Sequence, residues 1–166
     1  GVTEDVEFIA SEGVQDPKIP EDVGKNSEGD YIVWAANVGG ATPYPVGEGS
    51  FNQDYKQEYG EKAVSYCANC YDAVVLLALA AQKAGSTDGA EIRDALREIA
   101  NPPGEEVTDV ANALALLREG KEINYQGASG KITFDDKGDI EVGIAREWYY
   151  AENGAIVTGG EVEIPQ

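Results

Sequence analysis

The sequence predicts an α/β protein, and three observations carry that prediction. Short β-branched and aromatic runs stand near both ends of the chain, four helix-like stretches lie between them, and the run Tyr31–Ala35 carries no charge, as strands covered on both faces do. Strands, then helices, then strands again predict that the middle of the chain belongs to one layered arrangement and that its ends meet in another.

The elements follow in order. Val6–Ala10 reads as a short strand that stops at Ser11-Glu12-Gly13. Gln15–Gly24 holds Pro17 and Pro20 among acids, a composition that supports at most one helical turn. Tyr31–Ala35 reads as the second strand. Asn37–Ser50, with four glycines and two prolines, is the richest cluster of helix and strand breakers and predicts a connection between structural units. From Ser50, Phe51, Tyr55 and Tyr59 fall four apart on one helical face, with Gly60 as the stop. Tyr66–Ala84 is apolar nearly all round, which predicts a helix buried on both sides. A third helix carries Ile92, Ala95, Leu96 and Ile99 behind cap candidates Ser86, Thr87 and Asp88. The fourth carries Val110, Ala113, Leu114 and Leu117 behind Thr108 or Asp109. Gly130–Phe134 alternates as a strand, Asp135–Asp139 is a turn, and Ile144–Ala151 is a longer strand. Glu152-Asn153-Gly154 then makes a tight turn into Ala155-Ile156-Val157.

Composition narrows the function. The 166 residues include 31 acidic and 12 basic side chains, a formal charge of -19. The few lysines and arginines stand singly among carboxylates, which excludes nucleic acid and anionic membrane surfaces as default partners. Histidine is absent, so imidazole-activated nucleophiles and imidazole bases are excluded, and an enzyme is the minority reading. The longest apolar run, Ala73–Ala81, is far short of the ~20 residues that span a bilayer as a helix. A glycine at position 1, no methionine and no secretory pattern at the start suggest a piece of a longer chain. Self-repulsion at this charge is relieved where salt shortens the Debye length to ~3 Å at 1 M, so a salt-adapted source is expected.

Several motifs could carry chemistry. Cys67 and Cys70 form a Cys-x-x-Cys pair with three open readings: a reactive redox pair, a structural disulfide between positions three apart, or two small core thiols. A zinc site would have to complete its ligand set from carboxylates alone. Asp135–Asp139 superficially resembles the start of a calcium loop, but Lys137 occupies the third position and no glutamate stands at the twelfth, which leaves an acidic turn. No metal and no cofactor is expected. Glu12 differs from the other acids because it lies at the carboxyl end of a predicted strand, directly before a glycine, where open α/β sheets bind ligands. A carboxylate there can hold an ammonium group through a charge-assisted hydrogen bond.

Four segments in order carry a resemblance: Ile9–Pro17, Glu28-Gly29 before a strand, Tyr71-Asp72-Ala73-Val74 leading an apolar helix, and Gly127-Ala128-Ser129-Gly130 through Phe134-Asp135 to Gly138-Asp139. Together they resemble the C-terminal half of the branched-chain amino-acid (Leu/Ile/Val) substrate-binding proteins of ABC transporters, over nearly the whole chain. The resemblance implies half of a type I periplasmic-binding fold, two three-layer α/β lobes joined by hinge crossovers. Residues 1–36 would then belong to lobe two, 37–140 to lobe one, and 141–166 to lobe two again. It implies that Glu12 takes the ligand's ammonium and that Tyr66, five positions before Tyr71-Asp72-Ala73, contributes to the side-chain pocket. The family's carboxylate-binding cluster lies in an N-terminal half that this sequence lacks.

The expected function is therefore that of an extracellular or periplasmic solute-binding component of an ABC importer, lipid-anchored in its full length. It would bind a branched-chain amino acid or a related amide and deliver it to a membrane permease. The alternative is a ligand-sensing domain of the same fold in a receptor or regulator. Without the N-terminal half, the helix Tyr66–Ala84 is expected to leave an apolar patch uncovered.

Overall fold

The computed structural model describes residues 8–43 and 50–165, and the chain divides into two units, one of residues 1–43 with 144–163 and one of residues 44–143 with 164–166. Val6 and Glu7 of the first expected strand, and residues 44–49 of the expected connection, lie outside the described residues.

In the first unit, β1 (Phe8–Ala10) runs into a single 3-10 turn at Glu12–Val14, then into α1 (Ile19–Val23) and α2 (Ile32–Ala35). The strands β2 (Val38–Pro43), β5 (Val142–Tyr150) and β6 (Ile156–Pro165) complete a four-stranded sheet in the order β1-β2-β5-β6. β1 and β2 pair in parallel, with Phe8 opposite Val38 and Ala10 opposite Gly40, while β2 and β5 are antiparallel. The turn expected at Glu152–Gly154 joins β5 to β6, closed by the Ala151 amide on the Ala155 carbonyl at 2.8 Å.

Two expectations are corrected here. Tyr31–Ala35 is not a strand: its β-branched run folds as one helical turn, with the Ala35 amide bonded to the Tyr31 carbonyl at 3.0 Å. That turn buries Val33 against Trp148 and Tyr150, a packing gain that overrides local propensity. The strand comes instead from the glycine-rich segment read as a connection. A Cβ at Gly40 would sit 1.9 Å from the Ala10 carbonyl oxygen, and one at Gly39 would sit 2.7 Å from the Trp148 carbonyl oxygen. Glycine is the residue that lets three backbones approach this closely.

In the second unit, α3 (Ser50–Tyr59) meets α4 (Cys67–Ala84) through Phe51 and Tyr71, while α4, α5 (Gly89–Ala100) and α6 (Val110–Arg118) pack with a two-stranded parallel sheet, β3 (Glu105–Val107) beside β4 (Ile123–Tyr125). Capping follows the sequence signals. The Asp88 carboxylate accepts from the amides of Ala90 (2.9 Å) and Glu91 (3.3 Å), and Asp109 accepts from Asn112 (2.7 Å). Gly60 and Gly85 end their helices in the left-handed conformation. Leu79, Ile99, Ala113 and Ile123 form a wholly buried aliphatic core between α4, α5, α6 and β4.

Two further expectations change. Gly130–Phe134 is not a regular strand: it makes isolated bridges, and Asn101 grips Phe134 from both sides, donating to its carbonyl (2.7 Å) and accepting from its amide (2.9 Å). Nor is α4 buried all round. Val75, Leu76 and Leu79 face the core, but Tyr71, Val74 and Leu77 are 43%, 68% and 53% exposed, because α5 and α6 cover one side of the helix only. No described helix is long and apolar enough to cross a membrane.

Candidate functional site

In the first unit, Glu12 opens the 3-10 turn that follows the carboxyl end of β1, where the sequence reading put it. The turn is built locally: Ser11 Oγ caps the Gly13 amide at 3.4 Å, and the Glu12 carbonyl accepts from Gln15 at 2.9 Å. The Glu12 carboxylate itself is half-exposed and makes no hydrogen bond or ion pair among the described residues. Behind it, the buried Tyr150 hydroxyl reaches the Val14 carbonyl, lies 2.9 Å from the Asp16 carbonyl and accepts from the Asp16 amide at 3.3 Å. Burial holds the Tyr150 phenol above its ordinary pKa, so the hydroxyl keeps its proton for these carbonyls. One side chain of β5 thus fixes the loop that presents Glu12.

Tyr66 lies in the second unit as the residue that precedes α4. Its φ of 69° is left-handed, a conformation that costs a bulky L-residue about 1–2 kcal/mol. Cys67 and Cys70 follow in the first turn of α4 as free thiols, half-buried and exposed respectively. A hydrogen bond with the Cys67 sulfur holds the Tyr55 phenol above its ordinary pKa.

The same unit contains an open cleft of about 810 Å³ at the carboxyl ends of β3 and β4, the edge at which open α/β sheets bind ligands. One wall is an aromatic ladder: Tyr59 stands 4.7 Å from Tyr55, Tyr55 5.9 Å from Phe51, and Phe51 5.3 Å from Tyr71. The helical spacing of Phe51, Tyr55 and Tyr59 predicted that shared face. The opposite wall follows β4 through Tyr125, Gln126 and Ala128.

Asp72 shapes that wall. It is 3% exposed and accepts from the amides of Ala128 (2.8 Å) and Ser129 (2.7 Å) and from the Ser129 hydroxyl (2.5 Å). A Cβ on Gly127 would come within 2.2 Å of its carboxylate, so glycine is required there for the loop to close over the acid. Tyr125 stacks its hydroxyl on the same acid at 3.5 Å; burial, and then the Asp72 charge, push its pKa up. Sequence reading used Asp72 and Gly127-Ala128-Ser129-Gly130 as separate markers of resemblance and missed that one grips the other.

Asp135 spends its carboxylate on backbone, accepting from the amides of Lys137, Gly138 and Asp139 at 2.8–2.9 Å. This is the acidic turn the sequence suggested. Among the described residues no group of three or more acidic or sulfur side chains has the arrangement of a metal site.

Residues 1–143 match the family model described as the receptor family ligand binding region. The chain is 28% identical over 142 residues to BasB, a chemotactic signal transduction system substrate-binding protein of Halobacterium salinarum, covering 76% of this chain and 34% of that one. It also superposes on the crystal structure of the leucine-binding protein LivK of Thermotoga maritima with a TM-score of 0.59 at 23% identity, over 93% of this chain and 36% of that one. The fold is thus half of a type I periplasmic-binding fold. The chain spans about a third of the length of these relatives, and both are binding proteins, in keeping with the expectation that no reaction is performed.

Proposed function

The chain belongs to the receptor family ligand binding region, and from that premise we propose that it is part of a solute-binding protein that takes a branched-chain amino acid, or a related small amino acid or amide, outside the cell. The observation that carries the reading is Glu12, a carboxylate after the carboxyl end of β1 with no hydrogen bond or ion pair among the described residues, on a loop held from behind by Tyr150. It receives the ligand's ammonium through a charge-assisted hydrogen bond, and Tyr66 contributes an aromatic surface to the ligand's side chain. The exposed face of α4, Tyr71, Val74 and Leu77, is covered in the complete protein by an N-terminal segment. That protein is lipid-anchored and hands its ligand to an ABC permease.

The test is calorimetric titration in multimolar KCl against leucine, isoleucine, valine and a set of amides, using a chain extended to the length of its relatives. Glu12→Gln should weaken amino-acid binding by roughly 1.5–3 kcal/mol, the worth of a hydrogen bond to a charged group. Unchanged affinity removes Glu12 from the site. The match to a chemotaxis protein favours a second reading, in which the bound form is read by a signal transducer and not by a permease. Deleting the gene separates the two: loss of uptake supports import, and loss of taxis with uptake intact supports sensing.

A further inference from the structure

Among the described residues, two that are not glycine stand at positive φ, Asn37 and Tyr66. Asparagine visits that region readily and tyrosine does not. The turn around Tyr66 gives the local reason. The Cys67 amide donates to the Val64 carbonyl at 3.2 Å, and Tyr66 has φ 69° and ψ −7°. These are the dihedrals of the third residue of a type II turn, the place that glycine ordinarily fills. Helix α4 begins at once, with the Cys70 amide donating to the Tyr66 carbonyl at 2.8 Å. Tyr66 therefore closes a turn and opens a helix with no residue between the two, and its ring stays partly exposed.

A backbone well that costs its occupant persists only where neighbouring contacts hold it. One such contact comes from α3. The Tyr55 hydroxyl is hydrogen-bonded with the Cys67 sulfur, and because that bond raises the phenol's pKa, Tyr55 is the donor and the sulfur the acceptor. The Tyr55 ring stands between Phe51 at 5.9 Å and Tyr59 at 4.7 Å, so its hydroxyl is placed by the aromatic ladder of α3. Cys67 is thus held at its amide by Val64 and at its sulfur by Tyr55, and it directly follows Tyr66.

We propose that Tyr55 is a positioning residue: through the Cys67 sulfur it keeps the Val64–Cys67 turn closed and Tyr66 in its left-handed conformation, and so sets how well the site accepts the ligand's side chain. The inference deepens the proposed function and rests on its reading that Tyr66 meets that side chain. The hydroxyl acts on Tyr66 and not on the ligand. Since the ammonium belongs to Glu12 in that reading, loss of the tether costs ligands with a large side chain and spares those with a small one.

Two experiments separate the tether from the ligand. The first uses the isotopically labelled chain in KCl and reads the Tyr66 Cα and Cβ NMR shifts, which report φ and ψ. Tyr55→Phe keeps the ring and its stacking and removes the hydroxyl; Cys67→Ala removes the acceptor, and Cys67→Ser restores one. The Tyr66 shifts should be left-handed in the parent, move toward ordinary values in Tyr55→Phe and Cys67→Ala, and lie nearer the parent in Cys67→Ser. Shifts unchanged in both Tyr55→Phe and Cys67→Ala would overturn the proposal.

The second is calorimetry with leucine and alanine on the chain extended to the length of its relatives. Tyr55→Phe should weaken leucine about fivefold, the scale of one hydrogen bond, and alanine less than about twofold. In a Tyr66→Gly background, where the turn is relaxed and the ring is gone, Tyr55→Phe should change neither. Equal loss for the two ligands, or an undiminished loss in the Tyr66→Gly background, would show Tyr55 acting elsewhere and end the proposal. If the parent binds neither amino acid, the reading of the ligand has failed, and the Tyr66 shifts still decide the tether. Far-UV circular dichroism identifies any variant that has lost its helices.

Discussion

The second unit rests on aliphatic side chains from four elements, with Leu79, Ile99 and Ile123 wholly buried and many neighbours to share the load. The first unit has no such reserve. Its interior is Val33, Trp148 and Tyr150, the last two packed edge to face at 5.6 Å, with the rest of its order coming from strand pairing and hydroxyl-to-backbone bonds. A broad core loses one member and settles around the gap, whereas a core built on a single indole does not. The unit that presents Glu12 is therefore the more fragile of the two.

The largest effect expected from this difference is at Trp148, which is 1% exposed. Trp148→Ala should cost about 3–5 kcal/mol and unfold the first unit, read from the emission of Trp34, while the helices of the second unit persist in the circular dichroism. Leu79→Ala should cost about 2–5 kcal/mol but leave the second unit folded at ambient temperature. If the Leu79 variant unfolds first, the ranking of the two cores is wrong.

Next in size is Asp72. Replacing it by alanine leaves two amides and a hydroxyl without their acceptor and a void beside Gly127, a cost of about 3 kcal/mol at one to three per orphaned group with partial hydration. Asp72→Asn keeps one acceptor oxygen and should lose about half as much. Hydrogen exchange locates the change: Ala128 and Ser129 should lose protection while the α5 amides keep theirs. Uniform loss across the unit would mean that Asp72 serves global stability and not the shape of the cleft wall.

What could be read in the sequence divides along the same line. The helices of the second unit announced themselves through apolar periodicity, Asp and Gly end signals and the four-residue spacing of Phe51, Tyr55 and Tyr59, all local features. The position of Glu12 just after β1 was visible because a strand end followed by Glu-Gly is also local. The strand made of Val38–Pro43 was not, since its glycines are demanded by Ala10 and Trp148, residues far away in the chain. β3 and β4 escaped because three-residue strands such as Glu105-Glu106-Val107 carry no period of their own and exist through each other. The cleft was hidden for a related reason: Tyr125 and Asp72 become meaningful only when β4 and α4 are side by side.

A smaller effect tests the tether behind Glu12. Tyr150→Phe keeps the ring and removes the hydroxyl that meets the Val14 and Asp16 backbone, so global stability should fall by about 1 kcal/mol. Exchange of the Asp16 amide should accelerate, and any ammonium ligand of Glu12 should bind more weakly through loss of preorganisation. A variant with normal stability and normal Asp16 protection would separate Tyr150 from the Glu12 loop.

The smallest effect is electrostatic and belongs to the second unit's acidic turn. The amide of Asp139 foremost, then those of Lys137 and Gly138, hold the Asp135 carboxyl below its ordinary pKa of 3.8. A group whose pKa is lower folded than unfolded adds stability above its unfolded pKa and loses it as pH falls through the folded one. Asp135 thus contributes fully at neutral pH and loses its contribution below about pH 4. Protonating the many other acids has an opposite component, because it relieves self-repulsion at a charge of -19. The measurement is therefore the difference in melting temperature between the parent chain and Asp135→Asn as a function of pH. Asparagine keeps the shape and an acceptor oxygen but not the charge, so the difference should favour the parent at neutral pH and shrink toward zero in acid. A pH-independent gap would assign the turn's stability to shape alone.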